Sequence, residues 1–178
     1  FDPEGNQWRV SALGGHFGGS MDGCAVGIPE APKTWHVLEF KTHNLKSFTD
    51  LQAKGVMEAK PMHYAQMQVY MELTGMTRAL YLAVCKNDDH LYAERVEHEP
   101  VVAAKLLAKA ERIIFSDEPP ARIHDSPSWW ECKFCDYHPV CHGEAVALVN
   151  CRTCAHVAAA RDGTWRCEVD HTDEPITL

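Results

Sequence analysis

The hydrophobic pattern of the chain changes period several times. Residues 15–27, GHFGGSMDGCAVG, alternate apolar side chains with glycine, as a strand does where backbones approach closely. IPEAPK (28–33) is a turn built on two prolines. TWHVLEF (34–40) alternates again, so the two runs predict a β-hairpin. The period then lengthens. Ser47 followed by Asp50 has the form of a capping box and predicts a short helix ending near Gly55. Pro61 opens a second helix with an apolar face of Met62, Ala65, Val69 and Leu73 and a stop at Gly75. RALYLAVCK and HLYAERVEH, joined by NDD, predict a pair of strands. PVVAAKLLAKAERIIF, rich in Ala and Leu, is the longest clear helix.

The order β-β-α-α-β-β-α predicts an α/β fold, a mixed central sheet flanked by helices, over residues 1–116. Residues 117–128 are a Pro-rich linker, and 129–178 are a cysteine-rich module. The chain begins at Phe1 rather than Met, as a fragment or a processed product would. No run of about 18 apolar residues occurs, so no membrane span is expected.

Charge changes this picture locally. The net charge of −8 argues against a protein that coats nucleic acid with its whole surface. Residues 33–60 nevertheless carry Lys33, Lys41, Lys46, Lys54 and Lys60 against Glu39, Asp50 and Glu58. Within the apolar strand, Glu39 and Lys41 share one face while Leu38 and Phe40 take the other. A buried charge is costly unless it is paired or bound to a metal. If the hairpin forms, Asp22 lies near Glu39, and two converging carboxylates suit Mg²⁺ or Mn²⁺. Lys41 on the same face could activate a water and stabilise developing negative charge. His36 and His43, flanking the strand, read as surface or strand-end residues. Met62, Met67, Met71 and Met76 read as core or helix-end filler.

Asp22 followed by Glu39-Phe40-Lys41 resembles the D…(D/E)-x-K core of the PD-(D/E)xK nuclease superfamily. Gln66 and Tyr70, at i and i+4 on the following helix, are similar to the Q-x-x-x-Y motif of its RecB-type and phage lambda-exonuclease-type branches. Met21, not Pro, precedes Asp22. The resemblance implies a restriction-endonuclease-like fold and a Mg²⁺- or Mn²⁺-dependent deoxyribonuclease, an exonuclease of phage or bacterial recombination and repair. In it Asp22, Glu39 and the Phe40 carbonyl hold the metal, Lys41 activates water, and Gln66 and Tyr70 position the substrate. DNA is the implied partner, with a recombination or replication protein as a second. The alternative is a catalytically inactive, zinc-containing module that binds DNA or protein on a nuclease fold.

Clustered C-x2-C pairs read as metal ligands in a reducing compartment, here the cytoplasm of a bacterial or phage-infected cell. Cys151, Cys154, Cys167 and His171 form a four-ligand zinc set, with Asp162-Gly163 as the turn between its halves. Cys132, Cys135, Cys141 and His142 form a second zinc candidate. The first three also resemble the C-terminal part of the [4Fe-4S] signature of RecB-type nucleases, whose fourth cysteine lies upstream of the core. Zinc at both sites is favoured because the sets are neighbours, and the cluster stays open. Eight acids against four bases in 129–178 disfavour a phosphate-gripping finger. A brace or protein-contact module is expected instead, packed onto the core by Trp129 and Trp130.

Overall fold

A computed structural model describes residues 5–145, 154 and 156–169. The chain divides into two compact units, Phe1–Glu111 and Arg112–Leu178.

The first unit is α/β. Its central sheet has four strands in the order β3 (Gly23–Ala25), β4 (His36–His43), β5 (Arg78–Cys85) and β6 (Leu91–Glu97). The sheet is mixed: β4 and β5 are parallel, and the two outer pairs are antiparallel. A parallel pair needs a crossover, and helices α1 (Leu45–Ala59) and α2 (Pro61–Thr74) supply it. Every second residue of β5 is therefore buried: Ala79, Tyr81, Ala83 and Cys85. The core joins these to Val37, Phe48, Leu51, Val56, Met67 and Met71. Helix α3 (Pro100–Ile114) follows the sheet.

The expected hairpin is shorter than the sequence pattern indicates. Only β3 pairs with β4, whereas β2 (Phe17–Ser20) pairs with β1 (Arg9–Ala12) in a sheet of its own. The 15–27 run changes partner at Met21-Asp22, which alternation cannot reveal because both halves are extended. Helix α1 also starts earlier than expected. Asn44, not Ser47, is its N-cap, and the Asn44 side chain accepts the Ser47 N–H at 2.9 Å. Gly55 does break the helix, at φ 75°, but a further turn runs to Ala59. Glu94 of β6 accepts the Val56 N–H at 2.8 Å and so repairs the break. Met62 is 83% exposed, while Met67, Gln68, Val69, Tyr70 and Met71 are all buried. Helix α2 is covered on more than one side, by α1 and β1 as well as the sheet, so its apolar stripe is broader than a single face.

The second unit contains two short helices, α4 (Trp130–Lys133) and α5 (His138–Cys141), and a hairpin of β7 (Val157–Ala159) with β8 (Trp165–Cys167). Asp162 Oδ1 accepts from both the backbone and the hydroxyl of Thr164 in the connecting turn. Trp129 stacks on His124, with ring centroids 4.6 Å apart, and Trp130 is 62% exposed. No helix among the described residues is long and apolar enough to cross a membrane.

Candidate active site at the end of β3

The site forms where the β3–β4 ladder stops. Its pairing ends at Gly23–Leu38, and the next step of the register sets Asp22 opposite Glu39. Beyond that point β4 has no β3 partner for its backbone. The Asp22 carboxylate takes that place: Oδ2 accepts the Phe40 N–H at 2.8 Å. The N–H and C=O of one strand residue leave the same edge, so the Phe40 carbonyl also faces this side.

Lys41 Nζ lies 3.7 Å from Asp22 Oδ2 and contacts Glu39 Oε1 directly. The sequence-predicted trio of Asp22, Glu39 and Lys41 is thus brought together, with the Phe40 backbone between them. Glu39 is fully buried, and apart from Lys41 at Oε1 its carboxylate has no polar partner among the described residues. Burial pushes the Glu39 carboxyl above its usual range, against the pull of Lys41, and Asp22 pushes it further. A buried carboxylate with one oxygen on Lys41 and the other unpartnered, beside a second carboxylate, makes a hard donor set that fits Mg²⁺ or Mn²⁺. Among the described residues no three His, Cys, Asp or Glu side chains converge to hold an ion, so the third protein ligand here would be the Phe40 carbonyl.

Gln66 and Tyr70 meet each other and the same segment. Gln66 Nε2 donates to the Tyr70 hydroxyl at 3.0 Å, and that hydroxyl donates to the Ser20 carbonyl at 2.9 Å. Gly19 makes this approach possible, since a Cβ there would sit 2.7 Å from the Tyr70 oxygen. Tyr70 is buried and committed to the backbone two residues before Asp22. Its contact with the site therefore runs through the Asp22 segment.

His36 and His43 are buried, not surface residues. His43 Nε2 and His63 Nδ1 each lie 2.9 Å from the Tyr81 hydroxyl. Ser47 Oγ lies 3.2 Å from His43 Nδ1 and accepts from Lys60 Nζ at 2.8 Å. Burial, then the charge on Lys41, lowers His63 to about 4. Burial and the charge on Lys60 lower His43 as well. Burial and the neighbouring Glu39 raise Tyr81. A buried polar chain thus adjoins the lysine–carboxylate pair. In the sequence His63 stands three residues before Gln66, at helical spacing, and that was its one legible signal.

In the second unit, Cys132 is buried, Cys141 half-buried and Cys135 exposed. The Cys135 N–H bonds the Cys132 carbonyl at 3.1 Å, a tight turn of the kind a C-x2-C pair uses. Burial raises the Cys132 thiol, and Cys141 and Cys135 raise it further. His142 Nε2 is buried without a partner, and burial lowers its pKa. Thiolates and imidazole are soft donors, but among the described residues Cys132, Cys135, Cys141 and His142 are not gathered into one metal-holding group. Cys154 and Cys167 are free thiols next to β7 and in β8. Cys151 and His171 lie outside the described residues.

The fold and this edge define an α/β domain with a carboxylate–lysine site at the end of a strand ladder. No family model matches the chain. No curated protein matches it either. A solved structure described as the crystal structure of SSO0001 is similar over 77% of this chain, at 21% identity and a TM-score of 0.47. The chain spans 59% of that protein's length. A likeness at that level leaves the functional question to the residues themselves.

Proposed function

We propose that the first unit is a PD-(D/E)xK-type deoxyribonuclease with a restriction-endonuclease-like fold, cutting phosphodiester bonds of DNA as an exonuclease in recombination or repair. One observation carries the reading: Glu39 is a fully buried carboxylate whose Oε1 meets only Lys41 and whose Oε2 has no hydrogen-bond partner, next to Asp22. Such a group destabilises a fold and is retained where it has something to bind. Asp22, Glu39 and the Phe40 carbonyl would hold Mg²⁺ or Mn²⁺. When bound, the cation supplies charge neutralisation on the phosphodiester and acidifies water.

The chain's own residues do the rest. Lys41 is released from Glu39 when that carboxylate acquires another partner, and its ammonium then faces the attacked phosphoryl group, where it orients water and stabilises negative charge. Gln66 and Tyr70 hold the Asp22 segment through Ser20 and so set the spacing of the two carboxylates. The second unit is a structural metal module, with zinc at Cys132, Cys135, Cys141 and His142 and at Cys151, Cys154, Cys167 and His171. A [4Fe-4S] cluster on the first three thiols is the other assignment. Such thiols belong in a reducing cytoplasm, and a recombination or replication protein is the partner the module would contact.

The reading of a non-catalytic interaction module has one observation in its favour. Lys41 contacts Glu39 directly and so partly neutralises it within the protein. Linear and circular DNA incubated with the protein and Mg²⁺ or Mn²⁺ separates the two. Cleavage by the unmodified chain, abolished in Lys41→Ala and Glu39→Ala, is expected. Absence of cleavage, or equal cleavage by the variants, defeats the enzyme.

A further inference from the structure

A cleft of about 700 Å³ opens beside β3, bounded by Trp8, Arg9, Met21, Lys33, Trp35 and the turn from α2 to β5. Its position is tied to the carboxylate site. The Met21 N–H donates to the Trp8 carbonyl at 2.9 Å, which fixes Trp8 opposite Met21, one residue from Asp22. Trp35 precedes Glu39 by four residues at the head of β4, about 13 Å along an extended chain. The cleft therefore shares with the carboxylate site the segments that carry Asp22 and Glu39, through Met21, Cys24 and Trp35.

Trp8 and Trp35 are 44% and 51% exposed, two large flat faces left in water. Among the described residues no acidic side chain lines the cleft, although the protein carries a net charge of −8. Arg9 and Lys33 form no ion pair with a described residue. Indole faces in one cleft with two cations that pair with no described residue match a ligand that alternates aromatic rings with anions. An unpaired nucleic-acid strand is that ligand, because its bases are free to stack and its phosphates recur along the backbone. Bases inside a duplex are already stacked on one another and cannot reach the indoles.

We propose that this cleft binds single-stranded DNA, with Trp8 and Trp35 stacking on bases and Arg9 and Lys33 contacting phosphates. The assignment rests on the reading that the adjoining carboxylate site acts on DNA, and it deepens that reading by naming the strand form that is held. It implies that a cut duplex must present an unpaired end.

The test uses the whole chain without divalent metal, so that binding is read apart from cutting. Labelled oligo-dT and a duplex of the same length are the probes. Oligo-dT is expected to bind more tightly than the duplex and to quench tryptophan fluorescence. Trp8→Ala and Trp35→Ala should each weaken oligo-dT binding roughly tenfold, from the loss of one stacked base. The Phe variants, which keep a π face, should recover most of it. Arg9→Ala with Lys33→Ala should flatten the salt dependence by about two phosphate contacts. Equal binding by the Ala variants overturns the proposal, and so does equal loss in the Phe and Ala variants or a preference for duplex. Glu39→Gln separates this from the nuclease reading, since it should bind oligo-dT normally while cutting nothing. If the unmodified chain binds as described yet never cuts, the cleft stands and the nuclease reading falls.

Discussion

The Asp22 carboxylate occupies the position of a missing strand residue: its Oδ2 accepts the Phe40 N–H at 2.8 Å, just past the last ladder pair. A side chain that closes a sheet and faces a second carboxylate has two roles, and substitution separates them. Asp22→Asn keeps an acceptor oxygen and removes the charge, so urea unfolding should stay within about 0.5 kcal/mol of the unmodified protein. Asp22→Ala leaves the amide unpaired at a part-exposed edge and should cost about 1 kcal/mol. Cleavage of DNA should be lost in both. An Asn variant that still cuts removes Asp22 from the metal site.

Glu39 gives a prediction of opposite sign for stability. Burial raises its pKa, so the folded chain holds a proton at pH values where the unfolded chain has lost it. The contribution of Glu39 is thus most favourable below its unfolded value and declines as pH rises through the folded one. Glu39→Gln carries no charge to desolvate. It should melt higher than the unmodified protein at neutral pH without divalent metal, while losing activity. Adding Mg²⁺ or Mn²⁺ should raise the melting temperature of the unmodified chain and leave that of the Gln variant unchanged, since only a ligand of the folded state stabilises it. A Gln variant that responds equally to metal removes Glu39 from the site.

Tyr70 and Gly19 are coupled. A methyl group at position 19 would meet the Tyr70 ring and hydroxyl at 2.7–3.2 Å. Gly19→Ala should therefore cost about 1–3 kcal/mol through overpacking. Tyr70→Phe removes the hydroxyl and with it the bond to Ser20, at about 1 kcal/mol. In the double variant the clash is smaller, so the two costs should sum to more than is measured. Strict additivity in denaturant unfolding would mean the segment before Asp22 is not held by this contact.

These contacts mark where the sequence is informative and where it stops. The faces of β4 are legible because strand alternation is strict, and the alternation of β5 is equally clear. The neighbourhood of Asp22 and Glu39 follows once β3 and β4 pair. The exchange of partners at Met21-Asp22 is not legible, because β2 and β3 have the same extended pattern and differ only in which distant segment lies beside them. The burial of His36 and His43 is likewise a property of what covers the strand. Asn44 loses to Ser47 in a reading of capping boxes because Ser47 is followed three residues on by the acid Asp50 and Asn44 only by Ser47, whereas the helix is capped by the Asn44 side chain alone. The Trp8–Trp35 cleft joins residues 27 apart through three separate elements, so no local pattern could announce it.

The thiols of the second unit give a spectroscopic outcome. Cys141 and Cys135 act on the Cys132 thiol, and His142, next to Cys141 in the chain, has a buried nitrogen without a hydrogen-bond partner. Elemental analysis is expected to find zinc, about two ions per chain, in a colourless protein. Cys132→Ser should lower the zinc content by one ion and destabilise the second unit to proteolysis. Visible absorbance with iron in place of zinc would instead assign a cluster to the first three thiols.

The last prediction concerns pH and the polar chain next to Lys41. Burial and the Lys41 charge hold His63 near a pKa of about 4, and His43 and Lys60 press in the same direction. In the unfolded chain a histidine titrates near 6.5. Between those values the unfolded state binds a proton that the folded state refuses. Stability contributed by neutral His63 is therefore fully present above about pH 6.5 and falls as pH drops toward 4. His43 is lowered by burial and by Lys60, Lys41 and Lys86, so it adds to the same slope. His63→Gln does not titrate, and its side-chain amide can still reach the Tyr81 hydroxyl that His63 Nδ1 contacts at 2.9 Å. Thermal melts from pH 4 to 7.5 should show a shallower decline in the variant, with the two proteins closest in stability at the acid end. Parallel curves would mean that His63 titrates alike in the folded and unfolded chains, and the polar chain from Lys60 through Ser47, His43 and Tyr81 to His63 would have to be redrawn.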